Sequence, residues 1–61
     1  MTTQATKLFK LINTRSGKTA VFDVWFDDVY LYINVKYVAK MDLPTARERW
    51  IGLKTIGYQV A

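Results

Sequence analysis

Residues 29–38 (VYLYINVKYV) alternate between two sets of side chains with a period of two, which admits a β-strand and excludes a helix. The run before it, Thr19–Phe26, is rich in Val and aromatic residues and reads as a second strand. Asp27-Asp28 is the polar break between them, and Asp tolerates the positive φ of a tight turn better than most residues. Upstream, Lys7–Asn13 is β-prone. Thr14-Arg15-Ser16-Gly17 then reads as a hairpin turn of the type I plus G1-bulge kind, with Gly17 at the left-handed position.

After Lys40 the period changes. Asp42 is placed to cap a helix, and Pro44 fits a first turn, where backbone N–H groups have no intrahelical partner. Leu43, Ala46, Trp50, Leu53 and Gly57 follow at spacings of three and four, which is one helical stripe, with Gly57 as its terminator. Tyr58-Gln59-Val60 fits either a short fourth strand or a docked tail. The expected fold class is therefore α+β: a three-stranded antiparallel meander packed on one face by a single C-terminal helix. Residues 1–6 read as a flexible N-terminal tail and 7–61 as one small domain. No repeat, linker or low-complexity tract interrupts it.

A domain of 61 residues is near the lower limit for folding alone and usually gains margin from disulfides, metals or a partner. With Cys and His both absent, a disulfide framework, a Cys/His zinc site, a thiolate nucleophile and a Ser–His dyad are excluded. No cofactor is expected. No apolar run reaches the ~20 residues of a membrane-spanning helix, and the first residues lack the order of a signal peptide. A cysteine-free composition fits a cytoplasmic protein, although it is compatible with any compartment.

Turn geometry sorts side chains onto faces. A two-residue turn at Asp27-Asp28 pairs Phe26 with Val29, Val24 with Leu31, Phe22 with Ile33 and Ala20 with Val35, an apolar face that fits the helix stripe. Closing the first hairpin at Thr14 and Lys18 adds Leu8 and Ile12 to that face. It also places Lys10 there, which conflicts with burial. The opposite face then gathers Phe9, Leu11, Trp25, Tyr30, Tyr32 and Lys36 with nothing in the chain to cover it. A solvated sheet face normally alternates to polar residues; this one keeps aromatics, which are enriched at recognition surfaces.

Catalytic motifs fare poorly. Ser16-Gly17-Lys18-Thr19 resembles the end of a phosphate-binding loop, but the first Gly of that motif would fall at Ile12, and the following segment is a strand where the motif needs a helix. Asp23, Asp27 and Asp28 lack the downstream bidentate Glu of a calcium loop, because the one Glu, Glu48, lies on the helix. Neither catalysis nor a small-molecule substrate is expected.

Two functions remain. The first is a non-catalytic protein-interaction module, self-associating or binding another protein, with Phe9, Leu11, Trp25, Tyr30 and Tyr32 as partner-binding residues. The second is a small basic nucleic-acid-binding domain, consistent with the net charge of +4. In either, Lys10, Arg15, Lys18 and Lys36 contact phosphate or an acidic partner, and stacked bases would use the same aromatic face. Asp23 on that face and Asp27-Asp28 at its end oppose a phosphate backbone, so protein binding leads.

Overall fold

The computed structural model describes residues 6–61. Five strands and one helix follow in the order β1 (Thr6–Asn13), β2 (Thr19–Trp25), β3 (Asp28–Ile33), β4 (Lys36–Asp42), α1 (Leu43–Thr55) and β5 (Tyr58–Val60). All pairings are antiparallel, in the sheet order β4-β3-β2-β1-β5. The chain leaves β4 at one edge, crosses one face as α1 and returns as β5 beside β1. Apart from Thr6, which begins β1, the expected N-terminal tail lies outside the described residues.

The fold is α+β, but four strands precede the helix where three were expected. Asn34 and Val35 both take left-handed φ, 51° and 74°, which folds the run 29–38 into a two-residue turn between β3 and β4. Positive φ at both central residues is the signature of a type I′ turn, whose usual second residue is Gly. A β-branched residue there is strained, and Val35 is 84% exposed, so no burial holds it in place. Val35→Gly relieves that strain at the entropic cost of a glycine. It is expected to raise stability by about 1 kcal/mol, read as an increase of several degrees in the midpoint of thermal unfolding by circular dichroism.

The first hairpin also departs from expectation. Asn13 N–H donates to the Lys18 carbonyl at 2.8 Å, so the loop is Thr14–Gly17, one residue longer than a closure at Thr14 and Lys18. The Asn13 side chain holds it, its Oδ1 accepting from the N–H groups of Arg15 at 3.0 Å and Ser16 at 3.3 Å, while Gly17 supplies φ 76°. One residue of register reverses every side chain of a strand. Leu11 therefore lies opposite Ala20 and Phe9 opposite Phe22, on the helix side, while Leu8, Lys10 and Ile12 turn to the other face. The reversal removes the conflict over Lys10.

In the second hairpin Trp25 pairs with Asp28, so the turn is Phe26-Asp27 and the register moves by two from the expected one. A shift of two preserves the faces: Ala20, Phe22 and Val24 meet Ile33, Leu31 and Val29 on the helix side. Phe26 does not pair with Val29; it occupies the turn itself.

The core lies between this face and α1. Leu11, Ala20, Phe22, Val29, Leu31, Ala46 and Tyr58 are buried, with Val24, Ile33, Met41, Leu43, Trp50 and Leu53 packed around them. Leu43, Ala46, Trp50 and Leu53 of the expected helix stripe pack here, while Gly57 lies past the helix end at φ 117°. Trp50 sets its ring edge-on to Phe22 and Phe9, with centroids 5.5 and 6.1 Å apart, a preferred aromatic geometry. Tyr58-Gln59-Val60 is a strand that pairs with Asn13-Ile12-Leu11 and buries Tyr58.

Asp42 caps α1 by accepting from the Thr45 N–H at 3.0 Å, with Pro44 in the first turn. Hydrogen bonds from the Thr45 side chain and backbone hold the Asp42 carboxyl below its ordinary value of 3.8. A lowered folded-state value means that the cap contributes its full stability above the ordinary value and loses it as pH falls through the lowered one. Asp42→Asn is therefore expected to flatten the acid side of a plot of unfolding midpoint against pH. Once the pH is below that lowered value the variant and the parent should converge.

Candidate interaction surface

The face of the sheet turned away from α1 is assembled from alternate residues of four strands. β1 contributes Leu8, Lys10 and Ile12, and β2 contributes Thr19, Val21, Asp23 and Trp25. β3 contributes Asp28, Tyr30 and Tyr32. On β4, Tyr37 lies opposite Tyr32, Lys40 opposite Tyr30 and Asp42 opposite Asp28. The β3–β4 register shifts by one between Leu31 and Tyr32, which makes a bulge at Val38. The bulge returns Ala39 and Met41 to the core side while leaving Tyr37 on the open face.

Tyr30, Tyr32 and Tyr37 form a cluster. Tyr37 meets Tyr32 nearly edge-on at 5.8 Å between centroids and Tyr30 at a tilt at 6.4 Å. The Trp25 indole N–H donates to an Asp23 carboxylate oxygen at 3.3 Å, which orients an indole that remains 43% exposed. Beside it Phe26 is 74% exposed and holds φ 55°, a left-handed conformation that a bulky aromatic rarely adopts.

Two open depressions lie side by side on this face. One, of about 390 Å³, is lined by Trp25, Phe26, Tyr30, Tyr32, Asp23 and Asp28. The other, of about 370 Å³, is lined by Leu8, Lys10, Thr19, Val21, Val35, Asp23 and Tyr32. Asp23 and Tyr32 border both, so the two form one groove across the strands.

Charge is divided along the strand direction. The turns 14–18 and 34–35 and the C-terminal end of α1 share one end of the sheet, which carries Arg15, Lys18, Lys36 and Lys54 and no acid among the described residues. The turn 26–27 and the N-terminal end of α1 share the other, which carries Asp27, Asp28 and Asp42 with Lys7 and Lys40. Lys40 reaches Asp28 at 3.9 Å, a weak exposed pair.

Of the expected partner-binding residues, Trp25, Tyr30 and Tyr32 lie together on the open face. Leu11 does not: it is fully buried in the core. Phe9 points to the helix side, against Trp50. Both displacements follow from the longer first loop. Of the expected cations, Lys10 lies on the open face. Arg15 and Lys18 sit in the first turn, and Lys36, opposite Ile33, is on the helix side beside the second. Sequence reasoning missed Leu8, Tyr37, Phe26 and Val35 as members of the surface. For Val35 the available signal was Asn34, a residue that favours left-handed turns.

Ser16-Gly17-Lys18-Thr19 belongs to a hairpin loop running into a strand. No cluster of three metal-ligating side chains occurs among the described residues. No helix among them is long and apolar enough to cross a membrane. No protein family, curated protein or solved structure was found to match this chain.

Proposed function

We propose that this chain is a non-catalytic protein-interaction module whose working surface is the open face of the sheet. The observation that carries this reading is the aromatic groove of Trp25, Phe26, Tyr30 and Tyr32, with Tyr37 beside it, on a face that no described element covers. Monomeric proteins seldom leave a contiguous apolar patch of this kind in water. Trp and Tyr supply large contact area with few rotatable bonds, and they dominate binding energetics where they cluster. Asp28 in one depression, Lys10 in the other and Asp23 between them give the groove polar groups that orient a partner.

The same acids disfavour nucleic acid. Phosphates laid along the groove would meet Asp23 and Asp28, while Arg15, Lys18 and Lys36 sit at the end of the sheet.

The reading is tested by capturing proteins with tagged parent and with a Trp25→Thr/Tyr30→Thr variant, offering an untagged copy of this chain among the candidates. Loss of the captured protein from the variant is the expected result. An unchanged captured set would overturn the reading. A single-stranded oligonucleotide that binds the parent with an affinity falling linearly in the logarithm of salt would assign the face to nucleic acid.

A further inference from the structure

We infer that the open face is covered by a second copy of this chain, stacked sheet on sheet about a two-fold axis that runs across the strands. The inference rests on the reading of that face as an interaction surface and names its occupant. Charge selects the axis. A two-fold axis parallel to the strands would set the basic end of one copy over the basic end of the other. An axis across the strands sets Arg15 and Lys18, in the first turn, over Asp27 and Asp28 of the second copy, and the reverse.

Shape agrees with charge. Phe26 and Val35 are the two exposed apolar residues held at left-handed φ among the described residues, and they occupy turns at opposite ends of the sheet. Antiparallel stacking brings the Phe26 end of one copy over the Val35 end of the other, so each strained residue gains apolar cover. Strain retained at an exposed position is explained when the position serves binding.

The edges of the sheet offer no better route. β5 is three residues long, and β4 carries a bulge and two lysines, devices that discourage edge-to-edge pairing. Four strands spaced about 4.8 Å apart and about 20 Å long give a flat footprint of roughly 400 Å², which side-chain relief enlarges toward the ~800 Å² per partner of a stable interface. A chain that buries seven of its described residues in its own core gains further burial from such a contact.

The test is sedimentation equilibrium over a concentration series, on the parent and three variants. Arg15→Glu/Lys18→Glu sets acids over Asp27 and Asp28 of the second copy, and Asp27→Lys/Asp28→Lys sets lysines over its Arg15 and Lys18. Each alone is expected to dissociate at least tenfold more readily than the parent, and an equimolar mixture is expected to recover the dimer mass. Phe26→Gly is expected to unfold at a higher temperature than the parent while dimerising at least tenfold more weakly, which separates binding from folding.

A parent that stays monomeric at millimolar concentration overturns the inference. If it nevertheless captures a different protein that Trp25→Thr/Tyr30→Thr releases, the interaction reading stands without the second copy. A mass increase that appears only with oligonucleotide overturns both. Charge variants that dimerise as tightly as the parent overturn the axis.

Discussion

Leu11→Ala is expected to unfold most of the molecules at 25 °C, whereas Leu8→Ala, three residues away, leaves the domain folded. Leu11 is fully buried against Ala20 and the core, and Leu8 is 68% exposed on the other face. Truncating a buried Leu costs about 2–5 kcal/mol, because apolar transfer is lost and a cavity remains. A single core in a domain this small supplies only about 3–5 kcal/mol in total. An exposed Leu away from special backbone features contributes about 0.5 kcal/mol or less. Urea unfolding followed by circular dichroism, at a protein concentration low enough to keep the chain monomeric, reads the difference directly. If the two variants exchanged behaviour, β1 would present the opposite set of side chains to the helix, as the shorter first loop would have it.

The second large effect concerns association. Trp25→Thr combined with Tyr30→Thr is expected to weaken binding through the open face by about a thousandfold, two aromatic anchors worth at least ~2 kcal/mol each. The cost to folding is far smaller. Trp25 gives up one exposed hydrogen bond to Asp23, and Tyr30 one tilted ring contact with Tyr37. A same-strand exposed hydrogen bond and a cross-strand ring contact are each worth about 1 kcal/mol or less, and Thr keeps the strand preference of the positions. Sedimentation, or capture of a tagged copy, measures the first quantity, and urea unfolding measures the second. A variant that binds as well as the parent would reduce the aromatic cluster to a device for stabilising the sheet.

The contrast between these residues shows how far the sequence could be read. The helix was legible because three local signals agree: Asp42 as cap, Pro44 in the first turn, and the stripe Leu43, Ala46, Trp50, Leu53. The open face of β2 and β3 was legible because alternation fixes parity, and an error of two in the turn at Phe26-Asp27 leaves parity unchanged. β1 was misread because its face depends on an odd or even loop length. Asn13, which accepts two backbone N–H groups, set that length outside the segment taken as the turn.

The turn between β3 and β4 was hidden for a different reason. Crossing Asn34-Val35 inverts the alternation, and the bulge at Val38 inverts it again. Val29, Leu31 and Ile33 before the turn therefore share the core face with Ala39 and Met41 after the bulge, as they would in one uninterrupted strand. Two phase changes that cancel leave no trace in the periodicity except Tyr37, which lies between them and faces the other way. Without the usual Gly after Asn34, composition did not mark the turn either. The missed surface residues share this origin, since each lies in a turn, beside the bulge or on the reversed strand.

The most direct test of the central claim is a dilution series of two-dimensional amide NMR spectra of the parent chain, with the assigned shifts mapped onto the fold. Concentration-dependent shifts are expected at Leu8, Lys10, Val21, Asp23, Trp25, Tyr30, Tyr32 and Tyr37, with α1 unmoved. Shifts concentrated on α1 or on the outer edges of β4 and β5, or spectra identical at every concentration, would contradict it.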